Sequence, residues 1–428
     1  MNDLSPVRRE SWVPEMIGAQ APVEVGTSTA RMITQVCASM VVMIVLTSRL
    51  GLAVGAKQVP IVLPVAVAHI AIIALLGRAT LSLARSIATA AILGIVIFAT
   101  ALVHRHTSTM SVIYLALIYV PLVVNTTLDG AALEKIWRVF IGVASVAAVL
   151  GVVQIAVQVV AGGYFLDPMQ LLPESIQLGG YQTTYPIMRG VIPTLKANGM
   201  VFVEPSAFSQ FLALAILGEL WLFRRWRVLL LLATGMTLSF SGTGLLMLAG
   251  GIALGARMRS IASFGAVVLA VGTILVLTGF GEAFTSRIDE VRRPGTSGYE
   301  RFVSPFVALS LPWEDSLAAV AWGYGAGRVE DLDTEYAANY SPIPKVMLEY
   351  GLVGLVAFAA LWISMFGRLA VQRPIVGAML VMYFLAAGSL LQPYTVFSLW
   401  ALTAGFLKRP DDAEAPPQDF ELEPAQPA

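Results

Sequence analysis

Residues 139–161 read VFIGVASVAAVLGVVQIAVQVVA and contain no charged side chain. A run of this length is longer than a typical soluble core helix and matches the ~20 apolar residues that an α-helix needs to cross a bilayer. It also lacks the strict alternation of a barrel strand, and only helices and closed barrels satisfy the backbone inside lipid. The stretch therefore predicts a membrane-spanning helix.

The rest of the chain has the same character. Its 428 residues are 57% apolar and 13% charged, whereas soluble domains are about 25% charged. This composition argues against a soluble enzyme, a nucleic-acid binder and a disordered chain, and the single cysteine, Cys37, excludes an internal disulfide. We predict an all-α polytopic membrane protein with about 12 transmembrane helices. The predicted segments lie near 32–48, 59–77, 86–103, 110–128, 138–161, 201–222, 227–241, 242–256, 261–280, 342–366, 374–391 and 394–407.

Two polar tails flank a single transmembrane domain, residues 31–408. Residues 1–30 have no apolar core close to their start, so they predict a cytoplasmic tail rather than a signal peptide. Residues 409–428 are acidic and proline-rich and are expected to be a disordered cytoplasmic tail. With the N-terminus inside, sixteen Lys and Arg residues lie in inside loops and five in the short outside loops. The positive-inside rule thus predicts that both termini are cytoplasmic.

Two predicted outside loops are long, 162–200 and 281–341. Long ordered loops in compact proteins are often functional. The second loop, between helices 9 and 10, concentrates charges of both signs. Its amphipathic stretch Phe302–Trp322, interrupted by Pro312, is predicted either as an interfacial helix on the membrane surface or as a packed lid helix. No cluster with metal-ligand spacing and no cofactor motif is visible in the sequence, so neither is expected.

Glu204, directly before Pro205 at the start of the sixth predicted span, is the carboxylate of most interest. One interpretation is a helix cap, because an acidic group is favoured beside a helix N-terminus and proline is tolerated there. The other is a carboxylate that faces an extracytoplasmic cavity as a base or as an acceptor for a sugar hydroxyl, since ionisable groups near membrane depth are costly.

Basic side chains in the two long loops form a second candidate set. Arginine binds phosphate through two parallel hydrogen bonds and stays charged, so the set suits an anionic, diphosphate-bearing lipid. For any single member, an ion pair with the acidic residues of the same loop is the alternative. The set comprises Arg189, Lys196, Arg287, Arg301 and Arg328.

Four stretches, in this order and spacing, resemble those of a known superfamily. They are Lys196–Ser206, which contains Glu204-Pro205-Ser206; Ser239–Gly244; Ser297–Arg301; and Trp322–Gly327 followed by Leu348–Gly354. The chain resembles the bacterial O-antigen polymerase and O-antigen ligase superfamily, polytopic inner-membrane proteins with a large periplasmic loop before the last few spans. The likeness covers roughly residues 180–400.

The resemblance implies a glycosyltransferase of the periplasmic face. It would join undecaprenyl-diphosphate-linked oligosaccharide repeats into exopolysaccharide, capsule or O-antigen. Arg301 would stabilise the leaving diphosphate, assisted by the diphosphate-binding candidates Arg189, Lys196, Arg328 and Arg287. Glu204 would be the general base or sugar anchor, with Tyr340 and Asn339 as alternative polar contacts.

Two other functions remain open at this stage. An O-antigen ligase would move finished glycan to a lipid or other acceptor, but ligases of this superfamily usually carry a His-Asn pair where this chain has Asn339-Tyr340-Ser341, which favours the polymerase. A lipid-linked oligosaccharide flippase or permease is the candidate of another class. The expected partners are the lipid-linked glycan, the bilayer, a chain-length regulator and a flippase, with no nucleic acid.

Overall fold

The structure is a computed structural model, and its helices occupy every predicted segment except the ninth, 261–280, which lies almost wholly outside the described residues. The described residues are 27–54, 57–77, 79–99, 101, 108–128, 130–181, 183–187, 194–255, 265, 291–332, 337–366, 373–387, 389–404 and 406–407. Both predicted tails lie outside them, apart from 27–30, which belong to the first helix.

The main helices are numbered in chain order. They are α1 Thr27–Thr47, α2 Val62–Leu75, α3 Leu83–Phe98, α4 Thr109–Tyr119, α5 Gly130–Val160, α6 Pro205–Gly218, α7 Trp226–Leu238, α8 Gly242–Gly255, α9 Ser297–Phe302, α10 Ser304–Val307, α11 Leu311–Asp315, α12 Leu317–Trp322, α13 Pro342–Phe366, α14 Arg373–Val381 and α15 Pro393–Leu399. All but α9–α12, which lie in the second long loop, follow the apolar segments. Short strands are β1 Gly51–Val54, β2 Lys57–Pro60, β3 Ala79–Leu81, β4 Val124–Thr127 and β5 Phe406–Leu407.

Four helical stretches are long and apolar enough to cross a membrane, and several shorter apolar helices accompany them. The long stretches are Ser28–Thr47, Gly130–Val160, Pro205–Phe223 and Pro342–Phe366. Together with the apolar composition, they indicate a helical, membrane-embedded protein.

The helix α6 lies at the centre of the bundle and contacts α5, α7, α8 and α14. It is apolar all round and buried on every side, which is the pattern of a helix inside a bundle rather than on its surface. Small residues allow this close packing. A Cβ added to Gly218 would lie 2.7 Å from the Trp137 ring, and one added to Gly235 would lie 2.8 Å from Ala148. These small residues let α5 approach both the end of α6 and α7 closely.

Connections that the sequence assigns to one side of the membrane do meet at one end of the bundle. The strand β3 pairs antiparallel with β4, and β4 pairs parallel with β5, so the α2–α3, α4–α5 and C-terminal connections share a small sheet. At the other end, Leu50 bridges to Gln177, and the Ser108 amide donates to the Ala326 carbonyl over 3.1 Å.

The stretch Phe302–Trp322 is not the single helix interrupted at Pro312 that the sequence suggests. It forms α10, a 3₁₀ turn at Ala308–Ser310, α11 and α12. Pro312 lies in the first turn of α11, where its missing N–H needs no partner. The break falls instead at Ser316, which is extended (φ −165°, ψ 158°) and whose hydroxyl accepts from the Ala319 amide to begin α12. Residues 291–332 are called the lid segment below.

Gly323 and Gly351 interlock the lid segment with α13. Both have backbone angles that essentially only glycine adopts, φ 71°, ψ −164° and φ 66°, ψ −167°. A Cβ on Gly323 would lie 2.4 Å from the Glu349 carbonyl carbon, and one on Gly351 would lie 2.2 Å from the Ala321 carbonyl oxygen. Gly351 thus breaks α13 so that the backbone of the lid segment can lie against it.

Candidate functional site

A cavity of about 540 Å³ lies at the start of α6. Four pieces of chain line it: the Tyr185 and Lys196 region of the first long loop, the first turn of α6, the turn between α7 and α8, and α9 in the lid segment. Three of the four sequence stretches that carry the family resemblance, those around Glu204, Ser241 and Arg301, therefore meet at one site.

Glu204 presents its carboxylate to this cavity. Its extended backbone (φ −145°, ψ 156°) stands at the N-cap of α6, and its carbonyl accepts from the Phe208 amide at 3.1 Å. Its side chain caps nothing: it accepts no bond from the α6 backbone, but accepts from the Ser206 hydroxyl at 2.8 Å and from Arg301 at 3.3 Å. The cap interpretation therefore describes the position of the residue and not its carboxylate.

Arg301 reaches Glu204 from the lid segment. It lies in the last turn of α9, which begins where the Thr296 hydroxyl accepts from the Tyr299 amide. The neighbouring Glu300 carbonyl accepts from the Asn339 amide at 2.7 Å, which holds α9 against the chain that leads into α13. The side chains of Arg301 and Glu204 are 13% and 14% exposed, so the ion pair is largely screened from bulk water while its remaining surface faces the cavity.

Lys196 adds a second cation to the cavity wall. Its amide donates to the Tyr185 carbonyl at 2.8 Å, and its ammonium lies 5.2 Å from the centre of the Tyr185 ring, a cation–π distance. Burial and then the charge of Glu204 raise the pKa of Tyr185. The same two causes raise the pKa of Tyr181 to about 12. Both phenols are therefore protonated hydroxyls near Glu204 at neutral pH.

Two helix N-termini point at the same cavity. The first residues of both α6 and α8 line it, and the partial positive charge of a helix N-terminus favours an anion. The first turn of α8 fits tightly against α6: the Ser209 hydroxyl of α6 accepts from the Gly244 amide at 3.1 Å, and a Cβ on Gly244 would lie 2.2 Å from that oxygen. The glycine at 244 thus allows α8 to start beside α6.

The charge balance of the cavity is positive. Lys196, Arg292 and Arg301 line it with one carboxylate, that of Glu204. Beside this polar part lies an apolar wall that includes Phe240, Leu245 and Leu246. Chemically, the cavity can hold a multiply charged anion next to an apolar group. A sugar hydroxyl could meet the Glu204 carboxylate at the same place.

A buried network that the sequence reasoning missed fixes the turn before Glu204. Gly199 and Met200 both have positive φ (63°), and the Asn198 side-chain oxygen accepts from the Met200 amide at 3.0 Å and from Gln154 of α5 at 2.9 Å. Arg49 donates to the Met200 carbonyl at 2.9 Å. The Asn198-Gly199 pair is itself a turn signal that could have been recognised.

Arg49 also pairs with Asp167 through two hydrogen bonds, at 2.7 and 2.8 Å. Both side chains are buried. From the sequence, Arg49 is only one of the five basic residues of the short outside loops. Nothing near it in the chain indicates a partner more than a hundred residues away. The pair joins the loop after α1 to the first long loop, directly beneath the turn that leads to Glu204.

Three other predicted site residues lie among the described residues but are not brought to the cavity. Arg328 is half-buried and pairs with Asp331 at 3.2 Å. Asn339 is exposed, and Tyr340 packs against a small apolar cluster that contains Ala308 and Leu348. None of these three lines the cavity. Arg189 and Arg287 lie outside the described residues. Among the described residues, no group of three or more His, Cys, Asp or Glu side chains could hold a metal ion.

Comparison with known proteins adds no relative. No family model matches the chain, and no curated protein matches it.

Proposed function

We propose that the protein is a polysaccharide polymerase of a bacterial inner membrane. It joins undecaprenyl-diphosphate-linked oligosaccharide repeats at the periplasmic face, with both termini in the cytoplasm. The observation that carries the proposal is that one cavity holds Lys196, Glu204 and Arg301, residues that the resemblance singles out and that come from two distant parts of the chain.

The cavity supports an amphiphilic, anionic substrate. Three cations and two helix N-termini suit a diphosphate, and the adjacent wall with Leu245 and Leu246 suits the start of an isoprenoid tail. Leu246 lines the cavity and is also partly exposed. In this proposal the tail leaves the cavity past Leu246 and enters the surrounding lipid.

In the proposed reaction, a hydroxyl oxygen of the incoming repeat attacks the anomeric carbon of the growing chain. The bond between that carbon and the diphosphate oxygen breaks, and the diphosphate leaves with the electron pair. Arg301 and Lys196 stabilise the charge that develops on it. The hydroxyl proton passes to the Glu204 carboxylate, which the Ser206 hydroxyl orients.

The Arg301–Glu204 ion pair gives this scheme an order of events. A bound diphosphate competes with Glu204 for the guanidinium, because both are anions and the diphosphate offers more charge. Once Arg301 turns to the diphosphate, the Glu204 carboxylate is released from its ion pair and can accept the hydroxyl proton. Substrate binding would thus activate the base.

Deletion of the gene in the source organism tests the proposal. A polymerase deletion should accumulate lipid-linked single repeats on the periplasmic side. Accumulation of lipid-linked long chains would instead identify a ligase, and single repeats retained on the cytoplasmic side would identify a flippase.

A further inference from the structure

The stretch 304–322 of the lid segment has one packed side and one apolar exposed side. Its packed side, which includes Pro305, Ala308, Pro312 and Ala319, is buried, and the stretch contacts α13. These positions recur every three to seven residues, as expected for a helical path that keeps one side against a neighbour. On the other side, Trp313 is 63% and Leu317 is 83% exposed, and Phe306 and Val307 are exposed as well.

The exposed side continues the apolar surface of the transmembrane helices. The Trp322 ring at the end of α12 contacts the ring of Phe98, the last residue of α3, with the ring centres 4.7 Å apart. Phe98 and Ile97 are themselves exposed, and so is Val356 in the α13 helix that carries the lid segment. The C-terminal end of α12 therefore lies beside the exposed apolar end of α3.

We propose that α10, α11 and α12 lie in the headgroup region of the bilayer, with Phe306, Val307, Trp313 and Leu317 inserted among the lipids. Tryptophan is favoured at this depth because its ring is apolar and its N–H can still reach water. Short amphipathic helices in this position bind lipid through their apolar side.

The charges on this stretch specify how the membrane is bound. Glu314 and Asp315 are exposed next to Trp313, and residues 303–322 contain no Lys or Arg. Attraction to anionic headgroups therefore contributes nothing, and insertion should depend on apolar contact alone. The surface should bind zwitterionic lipid, and high salt should not release it.

This inference does not depend on the proposed function. It concerns the outer side of α10–α12, whereas the cavity with Glu204 and Arg301 is lined by α9 and contains no residue of α10–α12. A failed polymerase assay would not affect the proposed contact of α10–α12 with lipid. A failure of that contact would likewise not affect the proposed function.

Spin-label accessibility in the full-length protein tests it. The only native cysteine, Cys37, is buried, so single cysteines can be placed at 313 and 317 and labelled, with the unsubstituted protein as the labelling blank. The matched controls are Val356→Cys on the lipid-facing side of α13 and Glu330→Cys on the exposed acidic part of the lid segment. Each variant is placed in phosphatidylcholine nanodiscs, and collision with oxygen is compared with collision with a water-soluble nickel chelate.

Labels at 313 and 317 should collide more with oxygen than with the nickel chelate, as at 356, and the ratio should be unchanged in high salt. The label at 330 should show the opposite preference. The proposal is overturned if 313 and 317 behave like 330, which would leave the surface free for a soluble partner. It is also overturned if both collision rates are low, which would indicate a second copy or another part of this chain on the surface.

Discussion

The Arg301 guanidinium donates to the Glu204 carboxylate across 3.3 Å and so joins the lid segment to the first turn of α6, although 97 positions separate the two residues in the chain. The pair places a fixed cation and a carboxylate at the wall of one cavity.

Replacement of Arg301 by Ala should abolish polymer while the protein level stays normal. Loss of a donor aimed at developing charge commonly lowers a rate on the order of 100-fold to 1,000-fold. Arg301→Lys should retain an intermediate activity, because lysine keeps the positive charge but cannot form the bidentate hydrogen bonds to phosphate that arginine can. Arg328→Ala is the matched control, since its partner is Asp331 and it does not line the cavity. Polysaccharide length on gels is the readout, and full-length polymer from Arg301→Ala would remove Arg301 from the mechanism.

Replacement of Glu204 by Gln should stop chain growth with little loss of stability. The carboxylate accepts no bond from the α6 backbone, and a glutamine oxygen at this position can still accept from Ser206 and Arg301, so we expect only a small loss of stability. Thermal unfolding followed by size-exclusion chromatography, beside polymer length, separates the two effects. Normal chain lengths in Glu204→Gln would reduce the residue to the end of a helix.

Replacement of Gly351 by Ala should destabilise the fold severely. Its backbone angles already disfavour any other residue, and the added carbon would meet the Ala321 carbonyl, so we expect a loss of at least about 3 kcal/mol. Gly142→Ala is the matched control, because it lies within α5 with no atom near its added carbon. Gly142→Ala should retain or slightly raise the unfolding temperature. Equal unfolding temperatures for the two variants would contradict the interlock between the lid segment and α13.

Replacement of Arg49 by Met or of Asp167 by Leu should each be strongly destabilising. Either change leaves a buried charge without its partner, at a cost of about 3–5 kcal/mol. The double variant should lose much less than the sum, because no lone charge then remains in the interior. The measurement is a double-mutant cycle of unfolding temperatures. Losses that simply add would mean that the two side chains do not interact.

The sequence predicts the helices well because apolar runs of membrane length allow few other structures. The segment near 342–366 coincides with α13, and the break between the seventh and eighth segments falls at Ser239–Ser241, just before Gly242. The number of spans and their orientation stay predictions. What the pattern cannot show is the break inside α13, because the angles of Gly351 are set by the lid segment backbone that lies against it.

The candidate site is predictable in part, namely where residues close together in the chain also lie together in the fold. Glu204 and Lys196 stand on short stretches tied to the start of α6, so their neighbourhood follows from local sequence. Which loop arginine reaches Glu204 is decided by how the lid segment folds, and that depends on contacts such as Gly323 with Glu349. The resemblance favours Arg301 over Arg328, but the contact of Arg301 with Glu204 is visible only in the folded chain.

Reconstitution tests the central claim most directly. Purified protein in vesicles is given its own lipid-linked repeat, extracted from the deletion strain, with no other protein present. The account predicts a ladder of lipid-linked products that lengthens with time, with release of undecaprenyl diphosphate, and no ladder with Arg301→Ala. Repeats that stay unchanged in mass, whether or not they cross the bilayer, would contradict it.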